Sequence, residues 1–354
     1  MKTTLLRLTS VFSLVLVFSF VLVACGSQST TNTTSSGQTI VHLGYFPNLT
    51  HAVAIVGFER GTFQQALGSQ VKLVATTFNA GPAEIEALNS GSIDIAYVGP
   101  SPAISGYVQS KGADLRIIAG ASSGGVLFVV RPGANIHTAK DLANKKIADP
   151  QQGGTQDVSL RYYLQQNGLV PADKGGNVQI VPTDNATILT LFKAGKIDGA
   201  WVPEPWATRL VVEGKGKIFL DERTLWPDGK FVTTNVVVRK AFMDQHPDIV
   251  NKFLQAHVDT VQWILSNPDS AKTIINSEIK RITGKGILPA ELNVAWNNLD
   301  ITYDPLADSL YMSADRAFSL GFLGTSKPTL TGIYNLGLLN QVLASKGLAT
   351  VQGA

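Results

Sequence analysis

The 354-residue chain has a single cysteine, Cys25, so no disulfide can form within one molecule and the fold must depend on core burial. Charged residues make up only 16% of the chain, and no basic cluster occurs in it, which argues against a nucleic-acid-binding surface. The five histidines lack metal-ligand spacing, and HExxH, Gly-x-Ser-x-Gly and phosphate-loop motifs are missing. We therefore expect no metal, no cofactor and no enzymatic activity.

The N-terminus carries an export pattern. Lys2 and Arg7 precede an apolar run over residues 11–23, which is too short for a comfortable membrane span and predicts a signal peptide over residues 1–24. Residues 22–26 resemble the lipobox of bacterial lipoproteins, and this resemblance implies lipidation of Cys25. An ordinary signal peptide with an incidental cysteine is the alternative.

A polar tether is predicted over residues 25–38, because residues 26–38 contain no apolar side chain to bury. The formal net charge is +3. It would fall to +1 after cleavage, since Lys2 and Arg7 would be lost and residues 1–24 contain no acidic residue. The basic balance therefore belongs largely to the predicted signal peptide.

Beyond the tether, short apolar runs alternate with amphipathic stretches. The pattern predicts strands at 39–45, 71–78, 93–98, 115–119, 147–148, 178–181 and 197–202. It predicts helices at 51–60, 82–89, 102–111, 156–167 and 186–194, and a mainly helical C-terminal third from residue 246. Strands separated by helices of this length indicate βαβ units, an α/β fold and mainly parallel sheets.

Residues 89–103 and 193–207 align without a gap, and in each copy a helix ends at glycine before a short strand and a proline-rich loop. Identical residues are Gly91/Gly195, Ile93/Ile197, Asp94/Asp198, Ala96/Ala200, Val98/Val202 and Ala103/Ala207. Open α/β sheets bind ligands beyond the carboxyl ends of their strands. The repeat therefore predicts two similar lobes facing one cleft, with chance similarity of two common units as the alternative.

Six segments, in order along the chain, resemble a known family. They are Gly44–Ala52, Phe78–Pro82, Tyr97–Pro102, Gly120–Gly125, Gly154–Asp157 and Trp201–Trp206. Together they look like the periplasmic substrate-binding proteins of nitrate, sulfonate and taurine ABC importers, most of all the aliphatic-sulfonate-binding type. The resemblance spans residues 40–345.

This resemblance implies a bilobal type II periplasmic-binding-protein fold with a two-strand hinge. We place the crossings near Val129–Arg131 and Thr234–Val238, so that lobe one combines residues 40–129 and 237–354 and lobe two is residues 130–236. The implied partners are a small anionic ligand, an ABC permease with its cytoplasmic ATPase, and the membrane through the lipid on Cys25. We expect an extracytoplasmic, lipid-anchored monomer that closes around its ligand by hinge motion.

A sulfonate or nitrate has several acceptor oxygens and no donors, so its site must supply N–H and O–H groups. Helix N-termini do so, because their first amides are unpaired and the helix dipole is positive there. Ser101, Thr155 and Ser122–Ser123 add hydroxyl groups at predicted loops, with Ser101 as the expected cap of its helix. The predicted ligand-binding residues are Asn48, His51, Asn79, Gly81, Gly99, Ser101, Ser122, Ser123, Gly154, Thr155, Gln156, Trp201, Glu204 and Thr233.

Some roles stay open. Trp201 and Trp206 either pack on an alkyl chain of the ligand or fill the core. Glu204 would repel a bare anion, so it either turns to a structural partner or meets a cationic group such as that of taurine. Arg161 is expected to be exposed, which leaves a neutral, hydrogen-bonding site.

The ligand itself is also open. Nitrate and bicarbonate are alternatives to a sulfonate, and His51 lies in a segment that also resembles pyrimidine-precursor binding proteins. A thiamine-pyrimidine synthase-like enzyme is the alternative from another class, which the export pattern argues against. A lipoprotein that serves a receptor rather than a transporter is a third.

Overall fold

The computed structural model describes residues 37–353. The predicted signal peptide, Cys25 and most of the predicted tether lie outside the described residues. Within this range no helix combines the length and the hydrophobicity that a membrane crossing requires.

Eleven strands form two sheets, of six and five strands, in the described range. The strands are β1 (Thr39–Tyr45), β2 (Val71–Thr77), β3 (Ile95–Val98), β4 (Leu115–Gly124), β5 (Val126–Val130), β6 (Lys146–Asp149), β7 (Gln179–Pro182), β8 (Gly199–Pro203), β9 (Lys217–Asp221), β10 (Val232–Arg239) and β11 (Leu299–Ile301). The first sheet has the order β11-β4-β10-β3-β1-β2, and the second has the order β7-β6-β8-β5-β9. We call the parts of the chain built on these sheets the first and second lobes.

Helices connect and cover the strands. They are α1 (Ala52–Glu59), α2 (Thr62–Leu67), α3 (Gly81–Asn89), α4 (Pro100–Gln109), α5 (Thr155–Gln166), α6 (Asn185–Lys193), α7 (Trp206–Val212), α8 (Lys240–Gln245), α9 (Pro247–Ser266), α10 (Pro268–Thr283), α11 (Pro289–Trp296), α12 (Ala307–Ser319) and α13 (Gly337–Ser345). Each sheet has apolar side chains buried on both faces, as expected where helices cover both sides. The predicted bilobal α/β fold is confirmed.

Most strands of each sheet run in one direction. In the first sheet β1 is parallel to β2 and β3, and in the second sheet β6 is parallel to β7 and β8. The reversed strands are β10 and β11 in the first sheet and β5 in the second. Of these, β5 and β10 are the strands through which the chain enters one lobe from the other.

Sheet membership locates the two passages between the lobes. Gly124 ends β4 in the first sheet and Val126 begins β5 in the second, so the first passage is at Gly124–Gly125. Both glycines have positive φ values, of 71° and 74°, which a side chain would strain. The return passage ends at Val232, where β10 begins. These passages lie a few residues before the predicted crossings, and the division into lobes by residue number stays a prediction.

The internal repeat has a structural counterpart. Asp94 accepts a hydrogen bond from the amide of His42 at 3.0 Å and pairs with Arg239 at 2.6 Å. Asp198 likewise accepts from the amide of Lys146 at 2.9 Å and pairs with Arg131 at 3.2 Å. In both lobes the aspartate thus ties a parallel strand to the end of the strand that arrives from the other lobe.

Two boundaries differ from the prediction. Helix α4 begins at Pro100 with Gly99 as its cap residue, so Ser101 is the second helical residue and not the expected cap. Strand β4 continues to Gly124 instead of ending near residue 119, because its small residues pair with β10 on one side and β11 on the other. Ser122 and Ser123 therefore lie in a strand and not in a loop.

Candidate ligand-binding site

A cavity lies between the two lobes, and about 30 Å³ of it is open to the centre of a water molecule. Such a space holds about two waters or one compact polar group. The lining residues are Phe46, Asn48, Thr50, His51, Asn79, Ala80, Gly81, Gly99, Pro102, Pro150, Gln151, Gly154, Thr155, Gln156, Asn185, Pro203 and Thr233. None of them is Asp, Glu, Lys or Arg, so the cavity wall is uncharged.

Four helices begin at this cavity, two from each lobe: α3, α4, α5 and α6. The cap residues of α3, α4 and α5 are Ala80, Gly99 and Gly154, and none of them supplies a side-chain hydrogen bond to its helix. Helix α6, in contrast, is capped by Asp184. The first amides of three helices are therefore left for another acceptor, and their dipoles favour a negative charge.

These helices differ in how many amides they offer. Pro100 and Pro102 have no N–H, so the first turn of α4 offers chiefly the amide of Ser101. Helix α5 has no proline in its first turn and presents the amides of Thr155 and Gln156. The N-terminus of α5 is therefore the main source of backbone donors in the cavity.

His51 can act only as a neutral donor in this position. Burial lowers the pKa of His51 to about 3. Its Nδ1 atom accepts a hydrogen bond from the amide of Phe46 at 3.2 Å, so the proton of the neutral ring is on Nε2. That Nε2–H has no hydrogen-bond partner within residues 37–353, and His51 lines the cavity.

Asn48 is held by a contact between the lobes. The indole N–H of Trp206 donates to Asn48 Oδ1 at 3.0 Å, and both side chains are buried. Because the amide oxygen is engaged, the amide nitrogen of Asn48 is left as a donor beside the cavity. Trp206 therefore orients Asn48 and does not line this cavity itself.

Gly99 and Thr155 meet across the cleft. A Cβ atom on Gly99 would overlap Oγ1 of Thr155, so glycine is what permits this approach. Oγ1 of Thr155 is buried and has no hydrogen-bond partner in the described part of the chain. A ligand in the cavity could supply the missing acceptor.

Nine of the fourteen predicted ligand-binding residues line the cavity: Asn48, His51, Asn79, Gly81, Gly99, Gly154, Thr155, Gln156 and Thr233. The hydroxyl of Thr233 is already bonded to the carbonyl of Gly124. The other five predicted residues are buried but do not line it: Ser101, Ser122, Ser123, Trp201 and Glu204.

Four of these five have polar atoms bonded to other parts of the fold. Ser122 donates to the carbonyl of Thr50 at 2.8 Å, and the hydroxyl oxygen of Ser123 accepts from the amide of Phe231. The indole N–H of Trp201 donates to Glu222 at 2.6 Å inside the core of the second lobe. These groups are therefore not free to serve a ligand in this cavity.

Glu204 has turned to structural partners. Its carboxylate accepts from the amide and hydroxyl of Thr208, at 3.0 and 2.9 Å, and from the side chain of Asn298 at 2.7 Å. Burial raises the pKa of Glu204, and these hydrogen bonds oppose that effect. Since Asn298 belongs to the first lobe, Glu204 links the lobes instead of facing the cavity.

Arg161 is buried, and the expectation that it is exposed was wrong. Its guanidinium pairs with Asp157 at 2.7 Å and with Asp173 at 2.9 Å, so it is neutralised away from the cavity. Burial, together with the nearby charge of Asp157, raises the pKa of Asp149 well above its usual value. The raised pKa favours the protonated, uncharged form of Asp149 behind the cavity wall.

Sequence reasoning missed Asn185, the first residue of α6. It is only 7% exposed and lines the cavity, and its side-chain amide oxygen has no hydrogen-bond partner within residues 37–353. Asn185 could have been predicted from its position. It begins a helix just after the break at Pro182–Asp184, and the strand before that break, β7, belongs to the same sheet as β6. No group of metal-ligating side chains occurs in the described range.

The family comparison gives a match over most of the chain. A family model described as the NMT1-like family matches residues 34–277. The taurine-binding periplasmic protein of Escherichia coli (strain K12) is 31% identical over 192 residues, which are 54% of this chain and 57% of that protein. This chain therefore aligns with little more than half of that relative's length.

Solved structures share the fold. The alkanesulfonate-binding protein SsuA from Xanthomonas axonopodis pv. citri, bound to MOPS, has a TM-score of 0.70 at 18% identity and covers 84% of this chain and 98% of its own. The nitrate-binding protein NrtA from Synechocystis PCC 6803 has a TM-score of 0.70 at 17% identity, covering 87% of this chain and 89% of its own. At these identities the likeness establishes two α/β lobes of the periplasmic-binding-protein type.

Proposed function

Because the chain belongs to the NMT1-like family, we propose that it is an extracytoplasmic solute-binding protein of an ABC importer that captures a small anion between its lobes. The observation that carries the proposal is the convergence of three uncapped helix N-termini on one uncharged cavity. Such a wall offers donors and positive dipole ends without a fixed cation. It therefore suits reversible binding of a compact oxyanion.

The proposed ligand contacts come from both lobes. The first lobe contributes the side chains of Asn48, His51 and Asn79 with the N-termini of α3 and α4. The second lobe contributes the amides and side chains at 154–156 together with Asn185. A ligand that bonds both sets binds the closed form better than the open one, and so it drives closure of the hinge.

We propose an aliphatic sulfonate, taurine or an alkanesulfonate, as the ligand. Its three oxygens are acceptors only and match a wall of neutral donors. The taurine-binding relative and the MOPS-bound, alkanesulfonate-binding structural neighbour support this proposal. Nitrate and bicarbonate offer the same acceptor pattern, and a pyrimidine could accept from the Nε2–H of His51.

The proposed function implies partner proteins and a place at the membrane. The closed surface would be recognised by a membrane permease coupled to a cytoplasmic ATPase, and the ligand would be released without chemical change. A lipid on Cys25 would hold the protein at the outer face of the membrane, where multiple acyl chains give firm attachment. We propose a monomer whose two lobes are joined at the passages described above.

A thermal-shift screen of the full chain, purified in detergent, tests the proposal. The panel contains ethanesulfonate, taurine, nitrate, bicarbonate and a formylaminopyrimidine. A ligand at a hundred times its Kd stabilises the native state by about 2.7 kcal/mol, which gives a clear shift in Tm. A shift with any of the anions supports the proposal, and a shift with the pyrimidine alone or with no compound contradicts it.

A further inference from the structure

A second chamber adjoins the cavity and offers about 190 Å³ to the centres of water molecules. Three amide side chains, Asn48, Asn79 and Asn185, line both spaces. The two spaces therefore share one wall, and a ligand whose anionic group sits at the helix N-termini can extend into the second chamber.

The second chamber differs from the first in chemistry. Trp206 and Ile282 give it an apolar side, while Asp184 is the one charged residue among those that line it. The first cavity is uncharged and rich in donors. A ligand that fills both spaces would thus meet donors at one end, and an apolar wall with a carboxylate at the other.

Asn185 supplies an independent sign that a ligand group belongs there. It is only 7% exposed, it lies in the wall between the two spaces, and its amide oxygen is buried without a donor in the described part of the chain. A buried polar group left unpaired costs about 1–3 kcal/mol, so such groups are normally satisfied. A ligand that carries an N–H group would satisfy this acceptor, which a bare oxyanion cannot do.

We propose that the second chamber is a subsite for the far end of the ligand and that Asp184 and Asn185 select a protonated amine there. The inference rests on the proposed function and deepens it. The substrate class would be a short zwitterion with a sulfonate at one end and an ammonium group at the other. Among the residues that line the two spaces, this role falls to Asp184, because it is the acidic one.

Asp184 keeps acceptor capacity although it caps α6. Each carboxylate oxygen takes one hydrogen bond from Thr187, at 2.9 and 2.7 Å, and each can accept another. Partial burial would raise the pKa of Asp184, but hydrogen bonds from Thr187 and from the backbone of Ala186 and Asp184 itself outweigh it and hold the pKa below its ordinary value. The carboxylate is therefore ionised at neutral pH, when an aliphatic amine is protonated.

Other occupants fit the two spaces less well. A bare inorganic anion would fill only the first cavity, and the charge of Asp184 nearby would weaken its binding. An alkanesulfonate would place its chain along Trp206 and Ile282, but it would leave the side-chain oxygen of Asn185 without a donor and the charge of Asp184 without a cation. The aminosulfonate alone meets both ends of the site.

The test is isothermal titration calorimetry of the full chain in detergent with taurine and with ethanesulfonate, which lacks the amine. The variant is Asp184→Asn, since asparagine is as good a helix cap as aspartate and α6 should stay intact. Glu86→Gln is the matched control, because Glu86 is exposed, on α3, and lines neither space. Circular dichroism checks that each variant is folded.

We expect the wild type to bind taurine about tenfold more tightly than ethanesulfonate, as a charge-assisted hydrogen bond allows. Asp184→Asn should bring the two within about twofold, and Glu86→Gln should keep the difference. Equal binding of the two sulfonates by the wild type, or a preference that survives in Asp184→Asn, overturns this inference but leaves the proposed function standing. If neither sulfonate nor nitrate nor bicarbonate binds the wild type, the proposed function fails and this inference with it.

Discussion

Trp206 at the start of α7 and Asn48 after β1 are joined by a 3.0 Å hydrogen bond that crosses from one lobe to the other. Both partners are buried, and Asn48 lies in the wall of the cavity. One bond thus does two things: it holds the lobes together and leaves the amide nitrogen of Asn48 as a donor. Closure of the lobes and arrangement of the site are coupled through this pair.

Replacing Trp206 with phenylalanine should therefore weaken ligand binding. The ring volume is largely kept, but Asn48 loses the donor that fixes its amide, so we expect about tenfold weaker binding and a loss of about 1 kcal/mol in the free energy of unfolding. Calorimetry with the tightest-binding ligand of the panel measures the affinity, and urea unfolding measures the free energy of unfolding. Trp263→Phe is the control, since Trp263 stacks on Arg60 and lines neither space.

Gly99→Ala should hinder closure. The φ of Gly99 is −69°, which alanine adopts without strain, but its Cβ would overlap Oγ1 of Thr155 across the cleft. We expect an unfolding free energy near that of the wild type and binding about tenfold weaker, since overpacking costs about 1–3 kcal/mol. Small-angle scattering should show less compaction with ligand than in the wild type. Gly337→Ala, which meets only one distant contact, should behave as the wild type.

Acid should destabilise the fold through His51. Its pKa is lowered from 6.5 to about 3 by burial, so the unfolded chain binds a proton at a pH where the native state does not. Above pH 6.5 the neutral ring of His51 costs the native state no stability. As the pH falls from 6.5 towards 3 the free energy of unfolding decreases, and the loss is about 2 kcal/mol at pH 5.

Urea unfolding of the wild type and of His51→Gln at pH 7.5 and pH 5 checks this sign. The variant should lose about 2 kcal/mol less stability over this interval than the wild type does. His137→Gln, at an exposed histidine, should lose as much as the wild type. If the wild type and His51→Gln lose stability equally, burial does not lower the pKa of His51.

Lys285 and Glu213 form an ion pair across the lobes at 2.6 Å. Glu213 also pairs with Arg209 of its own lobe, so its carboxylate stays ionised and keeps a cationic partner when Lys285 is removed. Because Lys285 is largely exposed, Lys285→Ala should speed ligand release only about twofold, and 0.5 M salt should remove the difference. Stopped-flow dissociation measures it. Lys327→Ala, which breaks a pair within one lobe, should leave the rate unchanged.

Cys25 should carry the lipid. Growth of the expressing bacterium with labelled palmitate should label the wild-type chain and not Cys25→Ala, and the variant should leave the membrane fraction. Labelling that persists unchanged in Cys25→Ala would show that the anchor is elsewhere or missing. The Ser29→Ala variant, changed within the predicted tether, should be labelled as strongly as the wild type.

The sequence was most informative where local pattern and tertiary position agree. The repeat at residues 89–103 and 193–207 correctly indicated two similar lobes, because each copy is a helix–strand–helix unit whose loop meets the cleft. Residues at helix starts, such as Gly154 and Thr155, could be predicted for the cavity wall, since a helix N-terminus is readable from glycine and hydroxyl residues.

The predicted residues that do not line the cavity share a physical reason. Ser122, Ser123 and Trp201 have the same types of polar group as the lining residues, but they bond to the backbone of Thr50, the backbone of Phe231 and the buried side chain of Glu222. No pattern along the chain shows where such a bond will end, because the partners are distant in sequence. Asn185 was missed for the converse reason, as a single asparagine at a helix start usually serves the helix.

The paired Asp94–Arg239 and Asp198–Arg131 contacts have a mechanical consequence. Each fastens the far end of a connecting strand to the body of its own lobe, so the ends of β5 and β10 are restrained against twisting when the lobes move. Rotation between the lobes is then concentrated in the few residues between the sheets. Among them are Gly124 and Gly125, two adjacent glycines in the left-handed region. The lobes should therefore rotate as rigid bodies about these few residues, with little elastic deformation within either lobe.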